Sequence, residues 1–442
     1  MTACAFAART LPCAFATRSW SPILDGEIRA VAGNVLRDIA RAIPLPGAKD
    51  SNSTLADGDA GYAIFNAYLV MSGLLAEPQR ERHRDLMMAY LQSALDKLPT
   101  MTGRPDLVGG FTGVAWAVNH LNITGALHGY DDLCDPVDDA LLEWVRDRSN
   151  SMLCELLTGL SGIGLYALGR RHRPVGREIV RLVVSALEAS AVEHRGFRTW
   201  FNPPEKLPPH ALRSRPHGCY NLGVSHGVPG AIAFLAQAAG AGVPLAGELA
   251  THAAAWLFAQ QRPYRNGSRF AYSFLSDPME DAAGSRLAWC YGDLGNSAAL
   301  LLSARCMRDP DWEASALEIA RNAARRSIDT GAVMDAGLCH GAFGNAHAFR
   351  RLHAATRDDC FLEAALRWVH AGVAMRREGL GPAGFRAWLP AGPNEPARDP
   401  WRADSGLFTG ICGIGLALLG LISPIEPQWD EVLMLNIPTK EA

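Results

Sequence analysis

Two kinds of helical segment alternate along this chain. The first kind is apolar on most sides: GDAGYAIFNAYL, GFTGVAWAVNHL, GLSGIGLYALG, GVPGAIAFLAQ, GDLGNSAALLLSA, GAFGNAHAFRRL and GICGIGLALLG begin at Gly58, Gly110, Gly159, Gly227, Gly292, Gly341 and Gly410. Each opens on Gly-x-x-Gly, and a stretch rich in Ala and Leu without a continuous charged face predicts a helix buried on nearly all sides. The second kind carries one apolar stripe at i, i+3, i+4 and i+7. Arg84–Leu98, Arg177–Ala189, Ala246–Gln260, Trp312–Ile328 and Phe361–Val373 follow this rule and predict amphipathic outer helices. Sustained alternation of period two is scarce, which argues against a large sheet.

The seven buried segments recur about every 59 residues between Gly58 and Gly410, enough for two helices and their connections. Buried and half-buried helices in alternation form a two-layered ring. In each motif the first glycine suits the turn into the helix, and the second permits close backbone approach. Three of the intervals, 68, 65 and 69 residues, exceed the others, 52, 49 and 49. The excess falls in loops over 194–222, 262–286 and 378–405, rich in Pro, Gly, Arg and aromatics. Arg195, Arg198, Lys206, Arg213 and Arg215 make the first of them basic, against Glu205, and it reads as a solvated basic loop.

The repeat register also orders the chemistry. Two residues before the first glycine stand Ala56, Val108, Leu157, Ser225, Cys290, Cys339 and Phe408; one residue before it stand Asp57, Gly109, Thr158, His226, Tyr291, His340 and Thr409. Ten cysteines in 442 residues would place about 0.16 at a given register position, yet consecutive repeats place two there. If the inner helices point one way around a closed ring, their leading loops meet at one mouth and Cys290, Cys339 and His340 converge. Two thiolates and an imidazole suit Zn2+ far better than an oxygen-seeking cation. Three protein ligands leave a fourth position open, toward a hollow centre in this reading. His226, Tyr291, Arg286 (four residues before Cys290) and Glu155 (four before Gly159) reach the same mouth. An acid, a histidine, an arginine and a tyrosine around an open zinc position form a catalytic set rather than a structural zinc knot. Cys134, Cys306, Cys360 and Cys412 read as small hydrophobes, and His217 and His347 as exposed or structural.

Composition narrows the class. The 42 Lys+Arg against 45 Asp+Glu give a net charge of −3, which offers no general attraction for nucleic acid or an anionic membrane. The apolar run Ile411–Ile422 is shorter than the ~20 residues that span a bilayer, and Arg9, Pro12 and Arg18 interrupt the start. Ten scattered cysteines without a CxxC pair fit a reducing compartment, so a cytoplasmic protein is expected.

NLGVSHGVPG (Asn221–Gly230), LAWCYGDLGNSAALL (Leu287–Leu301) and GLCHGAFGN (Gly337–Asn345) resemble the three signature motifs of the LanC-like family, the lanthipeptide (lantibiotic) synthetase cyclases. ELLTGLSGIGLYALG (Glu155–Gly169) and GLFTGICGIGLALLG (Gly406–Gly420) are similar to two further blocks, and the likeness runs over about residues 50–423. It implies an all-α fold, an α/α toroid of seven helical hairpins in a single domain spanning 1–442. It also implies Cys290, Cys339 and His340 as zinc ligands, His226 as acid/base, and Arg286 and Tyr291 lining the site. Glu155 stands where many cyclases have Asp, one methylene longer. The substrate implied is a ribosomally made, dehydrated precursor peptide whose Cys thiols add to dehydroalanine or dehydrobutyrine, giving lanthionine and methyllanthionine. A free-standing cyclase would act with a separate dehydratase and with a transporter. Two other readings share these ligands. One is a LanC-like protein that binds peptide without catalysis or adds glutathione; the other is a zinc enzyme alkylating thiols in the prenyltransferase manner.

Overall fold

A computed structural model describes residues 20–439 apart from 49–51, 102, 208–211, 213–214, 264–266, 275–283 and 391–397. Arg213 of the basic loop and the stretch before Trp20 lie outside the described residues. Seven inner helices follow the seven glycine motifs: α2 (Asp59–Met71), α4 (Phe111–Ile123), α6 (Leu160–Gly169), α8 (Val228–Gly240), α10 (Asp293–Met307), α12 (Ala342–Thr356) and α14 (Ile411–Ile422). Each packs on the next, and α14 packs on α2, so the ring is closed. All twelve residues of α14 are buried, as the missing polar face requires.

Six outer helices pack on the inner helix they follow: α3 (Glu77–Lys97), α5 (Asp135–Arg148), α7 (Pro174–Ser190), α9 (Ala246–Ala259), α11 (Pro310–Ala324) and α13 (Asp359–Ala374). The seventh outer place is filled from the other end of the chain by α1 (Gly26–Ala42), packed on α14. Two outer helices differ from the periodicity reading. The helix α3 begins at Glu77 rather than Arg84, because Pro78 in the first turn fixes helical φ where the polar run QRERHR offers no stripe. The helix α11 stops at Ala324 rather than Ile328, and Ser327 then caps a separate short turn over Ile328–Gly331.

The long loops carry small antiparallel pairs: Val192–His194 with Phe197–Thr199, Tyr220–Asn221 with Ser273–Phe274, and Ala387–Trp388 with Trp401–Arg402. The second pair ties the first long loop to the second. Strands of two or three residues are too short to show alternation.

The second glycine of every motif is sterically required. A β-carbon on Gly61, Gly113, Gly162, Gly230, Gly295, Gly344 or Gly413 would lie 1.8–2.5 Å from the carbonyl oxygen six residues earlier. The close approach is thus to the repeat's own leading loop. Among the first glycines, Gly292 alone needs the left-handed region, with φ +92°, immediately after Cys290 and Tyr291.

The ring's centre is not hollow. The segment after α14 runs up the axis and is held from several sides: Trp289 Nε1 donates to Leu433 O (2.6 Å), Trp116 Nε1 to Glu431 Oε1 (2.9 Å), and Arg351 Nε to Asp430 Oδ2 (2.6 Å). His347 Nε2 bonds Asp430 Oδ2 at 2.7 Å while its ring stacks on Trp429, centroids 4.9 Å apart. Trp429, Leu433, Met434 and Leu435 are almost fully buried there. No helix among the described residues is long and apolar enough to cross a membrane.

Candidate metal centre and active site

The seven leading loops are stitched into a belt. The residue two before each first glycine donates its N–H to its counterpart in the next repeat: Ala56 to Val108 (3.0 Å), Val108 to Leu157 (3.3 Å), Leu157 to Ser225 (3.2 Å), Ser225 to Cys290 (3.4 Å), Cys290 to Cys339 (3.3 Å) and Cys339 to Phe408 (2.7 Å). Leu407, one residue out of step, donates to Ala56 O at 2.6 Å and completes the circle. Positions 49–69 residues apart in sequence thereby become neighbours at the mouth, and Cys290 and Cys339 are consecutive members.

Six residues before the first glycine lies a second informative position. Asn52, Asn221, Asp335 and Asp404 occupy it in four repeats, each accepting the N–H two residues on, at 2.9, 2.9, 3.0 and 2.7 Å. These Asx turns fix how each loop bends toward its helix. Arg286 occupies the same position in the fifth repeat, so a cation stands where its neighbours have turn-forming oxygens.

Cys290, Cys339 and His340 have their ligand atoms within 4.8 Å of one another. A tetrahedral zinc with Zn–S near 2.3 Å would want its two sulfurs about 3.8 Å apart, so the spacing fits. His340 Nε2 is buried without a hydrogen-bond partner, and Asp335 Oδ2 lies 3.5 Å from it. The donor set of two sulfurs and an imidazole suits a soft divalent ion, with Nε2 turned toward Asp335. A hydrogen bond from Cys339 holds Cys290 well below the ordinary thiol range against burial, helped by His340 and Arg286, whereas the same bond and burial push Cys339 up. Burial opposes charge on His340, but Asp335 and Cys290 raise its pKa to about 9.

Beside this set stands a histidine and acid pair. His226 Nδ1 makes a short contact with Glu155 Oε2, and Thr158 Oγ1 donates to Glu155 Oε1. Glu155 is 6% exposed and His226 44%, so the acid is sheltered while the imidazole remains accessible. Burial works against the His226 proton, yet Glu155 and then Cys290 raise its pKa above the usual imidazole value. The extra methylene of Glu155 has not cost it this contact.

Arg286 is half-buried. Its backbone N–H and its Nε reach Tyr272 Oη at 3.1 and 3.4 Å, and the guanidinium lies 6.0 Å from the Tyr272 ring centroid. Burial disfavours its charge, but Tyr272 and the two site sulfurs keep it firmly protonated. Tyr291 accepts from Asn221 Nδ2 at 3.1 Å, and its ring lies 5.4 Å from Tyr272. Burial raises the Tyr291 hydroxyl, so it stays neutral. All seven residues picked from the register thus fall in two linked groups, the sulfur and imidazole set and the surrounding His226, Glu155, Arg286 and Tyr291. Asp335, Tyr272 and Asn221 were missed. The six-residue register position would have given Asp335 and Asn221; Tyr272 comes from a long loop without register. Cys134 and Cys412 are buried as small hydrophobes, Cys306 and Cys360 are half-buried, and His347 is structural.

Residues 49–434 match the sequence profile of the family described as "Lanthionine synthetase C-like protein". The "Nisin biosynthesis protein NisC" of Lactococcus lactis subsp. lactis is 23% identical over 299 residues, covering 63% of this chain and 70% of that protein. The solved structure of "Nisin cyclase" superposes with a TM-score of 0.70 at 18% identity, covering 92% of this chain and 97% of the other, and shares the helical toroid. The chain therefore belongs to the lanthionine synthetase C-like family.

Proposed function

We propose that this protein is a zinc-dependent lanthipeptide cyclase, adding Cys thiols of a dehydrated precursor peptide to dehydroalanine or dehydrobutyrine. The observation that carries the reading is the cluster of Cys290, Cys339 and His340 donor atoms within 4.8 Å, beside an accessible His226 backed by a buried Glu155. Zn2+ held by those three residues would supply an open coordination position at which a substrate thiol, with an ordinary pKa near 8.5, loses its proton. Asp335 would hold the His340 ring in place, the usual part of a carboxylate behind a metal-binding imidazole. Addition of the thiolate to the β-carbon of the dehydro residue moves charge onto its carbonyl oxygen, and the Arg286 guanidinium, braced by Tyr272, is suited to stabilise it. His226, kept protonated by Glu155, delivers the proton to the α-carbon. Tyr291, fixed by Asn221, walls this space and orients the peptide.

The test follows consumption of free thiol and thioether formation on a dehydrated precursor. His226→Ala and Cys339→Ala should each abolish or severely slow ring formation. Wild-type rates in either variant would reject the mechanism.

A further inference from the structure

The mouth carries a groove beside the metal set that this chemistry leaves unused. It encloses about 300 Å³ between the loop leading into α12 and the chain just after α13. Its apolar lining comes from Met334, Met375, Leu380, Phe385 and Trp401. Two of these are unusually open for large hydrophobic side chains, Met334 at 46% and Leu380 at 49% exposure. Open apolar side chains around a concavity mark a place that is covered in use. The volume stands at the lower end of ligand sites, right for one large side chain rather than a cofactor.

Its charged lining is Asp335, Arg377 and Arg386. Arg386 is paired with Asp399 at 2.7 Å. Arg377 is exposed and donates to the Ala374 carbonyl at 3.1 Å, and among the described residues no carboxylate is paired with it. The groove shares a wall with the candidate active site: Asp335 lines it, and the Asp335 carboxylate lies 3.5 Å from His340. A peptide with its thiol at the Cys290, Cys339 and His340 set would pass directly over it.

We infer that this groove is a substrate subsite. It takes an apolar or aromatic side chain of the peptide close in sequence to the reacting cysteine, and Arg377 pairs with the carboxylate of an adjacent acidic residue. The inference rests on the proposed function for one thing, that the passing peptide presents its thiol to the metal set.

The experiment uses the full chain loaded with zinc and two fluorescein-labelled hexapeptides ending in cysteine, read by fluorescence anisotropy. One carries Glu-Phe about three residues before the cysteine; the other carries Gln-Ala there. The Glu-Phe peptide should bind roughly 10-fold more tightly, a difference of about 1.4 kcal/mol. Leu380→Gln and Arg377→Gln, both at exposed positions, should each reduce that preference at least about threefold while circular dichroism stays unchanged. A third probe, the Glu-Phe peptide with serine for cysteine, and a zinc-stripped sample separate the two ideas. If preference for Glu-Phe persists but neither zinc nor the thiol affects binding, the groove stands and the thiol-to-metal reading falls. Equal affinity for the two cysteine peptides, or a preference that neither variant reduces, would overturn the subsite.

Discussion

Gly295→Ala tests whether packing of the repeat motif governs the metal site. A β-carbon at this position would stand 1.8 Å from the Trp289 carbonyl oxygen, where real contacts scarcely fall below 3.0 Å. One side must therefore move by at least about 1.2 Å. Neither side is free to do so. The Trp289 indole is buried and bonded to Leu433 O at 2.6 Å, and the carbonyl belongs to the peptide leading into Cys290. Overpacking of this kind costs about 1–3 kcal/mol, while alanine regains up to about 1 kcal/mol of helix propensity. The net expectation is a loss of stability of up to about 2 kcal/mol, with zinc bound roughly 10 to 100 times more weakly as the Cys290 sulfur is displaced. Gly33→Ala is the control. It also replaces a helical glycine, yet the nearest atom to its β-carbon would be Arg37 Nη1 at 3.9 Å, so it should stabilise slightly. Thermal unfolding and competition for zinc with a chromophoric chelator measure both quantities. A Gly295→Ala protein as stable as the parent and equally avid for zinc would refute the reasoning.

Other expectations follow from the same contacts. Asp335→Asn should keep the fold yet weaken zinc binding by roughly 10 to 100-fold, measured by chelator competition. Elemental analysis should find about one zinc per chain in the parent and none retained by Cys339→Ala. Stability should fall as pH drops below about 6.5, the value for a free imidazole. Burial keeps His347 neutral and its pKa below that value, whereas the unfolded chain takes up the proton, so acid favours unfolding. Asp430, held down by Arg351 and His347 against its own burial, adds a further loss below about pH 4. Thermal midpoints between pH 4 and 8 should show this slope, and His347→Asn should flatten its upper part. Removing residues 424–442 should expose the apolar centre of the ring, detected as dye binding and faster proteolysis.

The parts of the fold that repeat were legible, because the motif that makes each inner helix also fixes the place of the residues before it. Knowing that Cys290 and Cys339 share a register position was enough to bring them together across 49 residues. The same logic extended by four residues would have found Asp335. What does not repeat was hidden. Gly26–Ala42 precedes the first motif, so nothing local says that it covers the seventh inner helix. Tyr272 reaches Arg286 from a long loop whose path has no period. The run Trp429–Ile437 shows neither helical nor strand spacing, and its destination on the axis depends on partners such as Trp116 and His347 far away in sequence.

The clasp between the two ends has a consequence for how the molecule is made. Trp20 Nε1 donates to Gly420 O at 2.7 Å across 400 residues, and Arg350 lies over the Trp20 ring at 4.0 Å. These contacts cannot form until synthesis has passed Gly420, so the nascent chain must wait as an unfastened arc with its first helix uncovered. The seam fastens the segment before α1 to the seventh repeat and to Arg350 of the sixth, while the two clustered cysteines precede the fifth and sixth inner helices. Weakening the buckle should therefore delay maturation and invite chaperones or proteases.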